Sequence, residues 1–140
     1  MREILFRGKE KGQWVYGYYW KFEQNGTEAH VIRDGADNLL KFNHICEPES
    51  IGQYTGLTDK NGKKIFEGDI LKISHSYDED DYVIRKVYDY RGVLCVAYET
   101  PDWDFNALGF LDDDNEFVFE VIGNIHDNPE LLEGDADDQP

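Results

Sequence analysis

Four histidines, two cysteines and a few close carboxylates are the side chains here whose types and spacing could do chemistry. His44-Ile45-Cys46 has the look of a ligand pair, with His30 upstream and His75 beyond. A structural zinc site takes four ligands, often from closely spaced cysteine pairs, and only one close pair is present, so ordinary strand or loop residues are expected. A nucleophile built from Cys46 or Cys95 with His126 would need an activated thiolate, and nothing beside either cysteine in the sequence supplies one. Glu67 and Asp69 flank Gly68, and paired carboxylates can do acid–base work. Here they are expected to satisfy backbone amides at the start of a strand. Asp112-Asp113-Asp114 could bind a divalent ion loosely, but it reads more simply as a solvated turn. No catalytic residue, cofactor or metal is expected, and the chain is not expected to be an enzyme.

Aromatic side chains are the stronger lead. Trp14, Tyr16, Tyr18, Tyr19 and Trp20 crowd one segment. Strand alternation puts Trp14, Tyr16, Tyr18 and Trp20 on one face, with Val15, Gly17 and Tyr19 on the other. One face must serve the core; the second either packs on another lobe or another subunit, or is buried with the first within the monomer. Trp103 and Phe105 raise the same question in an acidic stretch.

Charge is the second signal. The net charge is −16. Met1 to Lys72 holds 11 Lys+Arg and 11 Asp+Glu; Ile73 to Pro140 holds 3 and 19. The excess clusters at Asp78-Glu79-Asp80-Asp81, at Asp112-Asp113-Asp114 and from Glu133 to Asp138. Such a half repels phosphate, so direct nucleic-acid binding is disfavoured. No apolar run approaches a membrane span, and the first 14 residues lack the apolar stretch of a signal peptide. A cytoplasmic protein with reduced, core-type cysteines is expected.

The elements that position these groups read as mainly β. Ile4-Leu5-Phe6 and Trp14 to Trp20 form strands around a polar turn through Gly8 and Gly12. Asn25-Gly26 turns into Ala29 to Ile32. Pro48 ends an ambiguous stretch from Leu39. Gln53-Tyr54-Thr55 and Lys64-Ile65-Phe66 flank Asp59-Lys60-Asn61-Gly62, where Asn-Gly suits the central positions of a type I′ turn. Gly68 lets the chain turn tightly before Ile70, Leu71 and Ile73. Ser74 to Asp81 reads as an acidic loop, Tyr82 to Tyr88 and Val93 to Tyr98 as strands around an Arg91-Gly92 turn, and Ala107 to Leu111 as a short strand. Phe117 to Ile122 is the most apolar strand. Asp127 or Asn128 would cap a short helix with Pro129 at its first position. Frequent turns and short strands point to a small barrel or a two-sheet arrangement.

Three of these stretches resemble the YopX family of phage and prophage proteins. They are Phe6-Arg7-Gly8-Lys9 with Gly12 to Gly17, the run Gly52 to Ile70, and Phe119 to Leu132. The resemblance implies a β-rich fold containing an SH3-like barrel, and it carries over no catalytic residue. The expected organisation is an N-terminal β lobe (1–57), an SH3-like barrel lobe with a short C-terminal helical turn (58–133), and a disordered acidic tail (134–140). The expected function is that of a phage or prophage accessory protein acting through a protein partner or as a homo-oligomer. The alternative is an acidic mimic of nucleic acid that inhibits a host DNA-binding enzyme. The surfaces expected to matter are Trp14, Tyr16, Tyr18 and Trp20, and the clusters Asp78, Glu79, Asp80, Asp81 and Asp112, Asp113, Asp114.

Overall fold

Glycine turns and alternating apolar residues organise the chain into antiparallel sheets. The computed structural model describes residues 4–34, 42–90, 93–96, 106–107 and 117–133. Among the described residues it is mainly β with one short α-helix, and the chain divides into two compact units, Met1–Gly56 and Leu57–Pro140. Arg91-Gly92, Trp103, Phe105, Asp112 to Asp114 and the tail 134–140 lie outside the described residues.

The first unit begins with β1 (Phe6–Glu10), β2 (Gln13–Gln24) and β3 (Thr27–Arg33). Both hairpins turn on two residues with positive φ, Lys11-Gly12 (49° and 83°) and Asn25-Gly26 (53° and 78°). That pairing is the type I′ geometry whose twist suits a hairpin. Edge strand β4 (Asn43–Cys46) and a 3-10 turn (Pro48–Ser50) follow, then β5 (Gly52–Thr58), giving the order β4-β3-β2-β1-β5. The first strand starts at Phe6 and runs through Gly8, which the sequence suggested was in a turn. A Cβ on Gly8 would lie 2.8 Å from Ile51 Cδ1 and 2.9 Å from Cys46 Sγ, so the glycine marks a close approach inside the strand.

Within this unit the pairing switches partway along β2. Residues up to Gly17 pair with β1, and Tyr18 onward pairs with β3. Gly17 sits against the backbone at the end of β3: a Cβ there would lie 2.1 Å from the Arg33 carbonyl oxygen. The inner face holds Phe6 and Tyr19, with ring centroids 5.3 Å apart, and the buried Ile32 and Cys46.

The second unit carries β6 (Lys64–Phe66), β7 (Asp69–His75), β8 (Asp78–Tyr90), β9 (Val93–Val96), β10 (Asn106–Ala107) and β11 (Phe117–Asn124), ending in the single-turn helix α1 (Glu130–Glu133). Its five-stranded sheet runs β10-β9-β8-β7-β11, and no closed barrel forms among the described residues. Ile65, Leu71, Ile73, Val87 and Phe119 make its core, with Leu57, Val83, Phe117 and Val121 packed on them. Complete burial of each such side chain stabilises by about 1.5–3 kcal/mol.

Three local expectations are corrected here. Asn61-Gly62 is not a type I′ pair, because only Gly62 has a positive φ (82°). The Gly62 amide donates to the Asp59 carbonyl at 3.0 Å, and the Asp59 amide donates to the Lys63 carbonyl at 2.8 Å. This is a three-residue loop closed by a left-handed glycine. Ser74 to Asp81 is not a loop: β7 continues to His75, and β8 starts at Asp78 after a two-residue turn. Finally, Asn128, one of the two expected caps of α1, does not cap it through its side chain. Asn128 Oδ1 accepts from the Asn124 amide at 3.2 Å, while the Asn128 carbonyl accepts from the Leu131 amide at 3.1 Å.

Asp59 ties its hairpin to β11. Its Oδ1 accepts the amides of Asn61 and Lys63, each at 2.9 Å, and its Oδ2 accepts that of Val121, also at 2.9 Å. Burial raises the pKa of this carboxyl, but the three amides outweigh it and hold the group below the usual 3.8. Asp59→Ala strands those amides, and loss of charge-assisted bonds should cost on the order of 3 kcal/mol in denaturant unfolding. Gly17→Ala forces a methyl into the Arg33 carbonyl and should cost more than about 3 kcal/mol. Gly12→Ala, strained at φ 83° but with nothing within 4 Å, should cost only about 1 kcal/mol. Equal costs for the two glycine variants would refute the close-approach account.

Candidate interaction surface

The register of β1 to β4 sorts their side chains onto two unlike faces. Tyr18 lies opposite Arg33, Trp20 opposite Val31 and Phe22 opposite Ala29; across the next ladder, Val31 lies opposite Ile45. On the other side of β2, Tyr16 lies opposite Arg7 and Trp14 opposite Lys9. All these residues therefore share the outer face. Tyr16 is 46% exposed, Tyr18 57%, Trp20 44%, Phe22 43% and Ile45 65%. Val31 lies between Trp20 and Ile45 in the register and is only 4% exposed.

The structure thus places the four aromatics singled out in the sequence on one face, and it adds Phe22 and Ile45. Phe22 continues the period-two pattern and was legible from it. Ile45 was not, because its side chain joins this face only through the pairing of β4 with β3. Trp20 and Phe22 meet edge to face with centroids 5.8 Å apart. The Arg7 guanidinium lies 4.5 Å and the Lys9 ammonium 5.4 Å from the Trp14 ring centroid, within the range of cation–π attraction.

Charge divides along the same line. The outer face of β1 to β4 carries Arg7, Lys9 and Arg33, and no carboxylate. The acidic residues of these strands, Glu10, Glu23 and Glu28, all register on the inner side.

On that inner side His44 meets two carboxylates. Its Nδ1 donates to Glu10 Oε1 and its Nε2 to Asp34 Oδ2, each at 2.7 Å. Two carboxylate acceptors require a proton on both ring nitrogens, so this arrangement is that of an imidazolium. The bonds from Glu10 and then Asp34 raise the His44 pKa above 6.5. The bond from His44, helped by the Phe42 amide, lowers that of Asp34 below 3.8. Sequence reading missed this cluster, since Glu10 lies 34 residues from His44. Burial raises the Cys46 thiol, which points toward the His44 carbonyl at 3.5 Å. His30 instead shares a 2.7 Å hydrogen bond with the Tyr19 hydroxyl.

In the second unit His75 stacks on Tyr77, with centroids 4.9 Å apart, and its Nε2 lies 3.5 Å from Asp81 Oδ2. Asp69 Oδ2 accepts the Phe66 amide at 2.7 Å, the structural role expected of it. The His126 amide donates to Asn124 Oδ1 at 3.0 Å. The acidic cluster takes a defined form: pairing jumps from Ser74↔Tyr82 to His75↔Asp78, leaving Glu79, Asp80 and Asp81 as an exposed bulge on β8. Asp78 Oδ1 accepts the Asp80 amide at 3.0 Å. The side chain of Cys95 and residues Asp112 to Asp114 lie outside the described set. Among the described residues no helix is long and apolar enough to cross a membrane.

Comparison with known proteins gives concordant matches. The family model described as YopX protein matches residues 5–133. The SPbeta prophage-derived protein YopX of Bacillus subtilis (strain 168) is 29% identical over 126 residues, 84% of this chain and 89% of that protein. The crystal structure of protein YopX from Bacillus subtilis superposes with a TM-score of 0.60 at 20% identity, over 91% of this chain and 96% of that one, a likeness of fold. Protein EF1440 from Enterococcus faecalis superposes with a TM-score of 0.54 at 26% identity, over 94% and 99% of the two chains.

The His44 clamp should appear in the pH dependence of stability. A raised histidine pKa contributes fully below 6.5, and that contribution is lost as pH climbs through the folded value. The lowered Asp34 pKa contributes above 3.8 and is lost as pH falls through its folded value. The stability gap between wild type and His44→Gln should therefore be widest between those two ordinary values and narrow in alkali. Thermal melts across this range would show it, and a gap that stays flat into alkali would exclude an ionic clamp.

Proposed function

The chain belongs to the YopX family, and from that premise we propose that it is a prophage-encoded accessory protein that acts in the bacterial cytoplasm by protein contact rather than by catalysis. The prophage origin of the similar Bacillus subtilis protein supports the first part. The carboxylate-free aromatic face carries the second. Stable protein interfaces are enriched in tyrosine, tryptophan, phenylalanine and arginine and depleted of acidic residues at their centres. The face of Tyr18, Trp20, Phe22, Arg33 and Ile45 has that composition in a chain where Asp+Glu number 30.

The titratable groups support a non-catalytic role. Both ring nitrogens of His44 are occupied by carboxylates, which leaves it no lone pair with which to act as a base. The Cys46 thiol is buried and pushed away from the thiolate form. The alternative of an acidic nucleic-acid mimic rests on charge distribution. No comparable geometric observation favours it, since its one described cluster is a short bulge.

A photo-crosslinking amino acid in place of Tyr18 tests the proposal in bacteria expressing the full chain. Discrete protein adducts are expected from position 18 and not from position 77, which is exposed in the second unit. Absence of protein adducts at 18, or adducts to nucleic acid alone, would count against protein contact through this face.

A further inference from the structure

We infer that the outer face of β2, β3 and β4 packs against the same face of a second copy of this chain. The inference rests on the proposal of protein contact and names the partner. Its first support is the shape of the β2–β3 hairpin. The β1 ladder ends at Gly17, and the β4 ladder reaches only His30 to Arg33 of β3. Among the described residues, Phe22 to Gln24 and Thr27 to Ala29 therefore extend past both neighbours as a two-stranded ribbon, with Trp20 at its base. Such a ribbon is marginal in water unless its apolar side is covered, and this one exposes Phe22, edge to face with the exposed Trp20 at its base.

The second support is self-complementary chemistry. In a two-fold contact each patch meets its own kind, so it must carry both halves of every attraction. Here Arg33 is exposed beside Tyr18, its register partner, so each copy offers a guanidinium and an aromatic ring. Crossed pairing of the two satisfies both copies.

The third support is repulsion elsewhere. Two copies each bearing −16 resist approach through carboxylate-rich surface, and the outer face of β1 to β4 opposes no carboxylate to another. Its size also fits. Side chains of this type bury about 150–250 Å² each when covered, so the half-exposed apolar residues offer on the order of 500 Å². A standard interface needs about 800 Å² per partner, which the flanking polar residues and Arg33 complete. A nucleic-acid strand fits less well: Arg33 is exposed, but Lys9 is half-buried and Arg7 buried, and strand affinity comes from neutralising several phosphates.

Sedimentation velocity of the full chain, from low to high micromolar concentration, tests the inference. Wild type should dimerise, and more strongly with added salt, because salt screens repulsion between acidic copies. Trp20→Glu and, as a second variant with little burden on folding, Arg33→Glu should each weaken the dimer by at least about tenfold, with unchanged circular dichroism. Lys21→Glu, on the other face of the same strand, should leave it intact. A dimer indifferent to both outer-face variants, or one that salt dissociates, would overturn the inference. So would a monomer at all concentrations. If that monomer still crosslinks to another protein from position 18, protein contact survives without self-association; if it crosslinks to nothing, both readings fall. Crosslinking to single-stranded nucleic acid alone would likewise exclude both.

Discussion

The carboxylate of Asp59 holds together the part of the chain that its family resemblance marks out. It accepts three backbone amides, two from its own hairpin and one from Val121, which lies 62 residues away. The next residue adds a backbone bond, from the Lys60 amide to the Phe119 carbonyl at 3.0 Å. Phe119 belongs to the core with Ile65 and Leu71. One charged side chain therefore connects the central motif to the C-terminal motif at the edge of the hydrophobic core. A buried carboxylate is tolerable there because amide dipoles replace its water. Asp59, Gly62 and Asp69 of the central motif therefore have architectural roles.

The first unit depends on a different constraint, the close passage of backbone at Gly17. Because β2 changes partner there, one strand serves two hairpins. The inner side gathers Phe6, Tyr19, Ile32 and Cys46, and Tyr19 and His30 satisfy each other's polar atoms. The clamp of Glu10, His44 and Asp34 then ties β4 to the end of β1 and to the residue after β3. A backbone bond from the Glu47 amide to the Lys9 carbonyl at 2.9 Å reinforces the same junction. The outer side of these strands carries rings, aliphatic groups, cations and neutral polar groups, and no carboxylate.

Local chemistry made much of this legible. Asn25-Gly26 reads as a hairpin because both residues accept left-handed backbone, and they do so here. Alternation along Trp14 to Trp20 correctly separated Tyr19 from its even-numbered neighbours. Misreadings arose where a side chain overrode the local rule. Asn61-Gly62 would favour a type I′ turn, but the Asp59 carboxylate captures the Asn61 and Lys63 amides and selects a longer loop. Gly8 looked like turn chemistry and is instead the gap into which Cys46 and Ile51 fit. The acidic run after Ser74 looked like loop, yet strand pairing across a two-residue turn absorbs it as a bulge.

The sequence alone determined the strand-rich character, the Asn25-Gly26 turn, the partition of charge between the two halves and the motifs that mark the family, because each depends on neighbours within a few residues. It also determined that one face of β2 would be aromatic. Which face turns to the core depended on pairing with β1 and β3, and only tertiary structure decided it. Tertiary structure likewise joined His44 to Glu10 and Asp34, Asp59 to Val121, and Ile45 to the aromatic face. Those contacts depend on strand register between distant segments, where a shift of one residue would send every side chain to the opposite side.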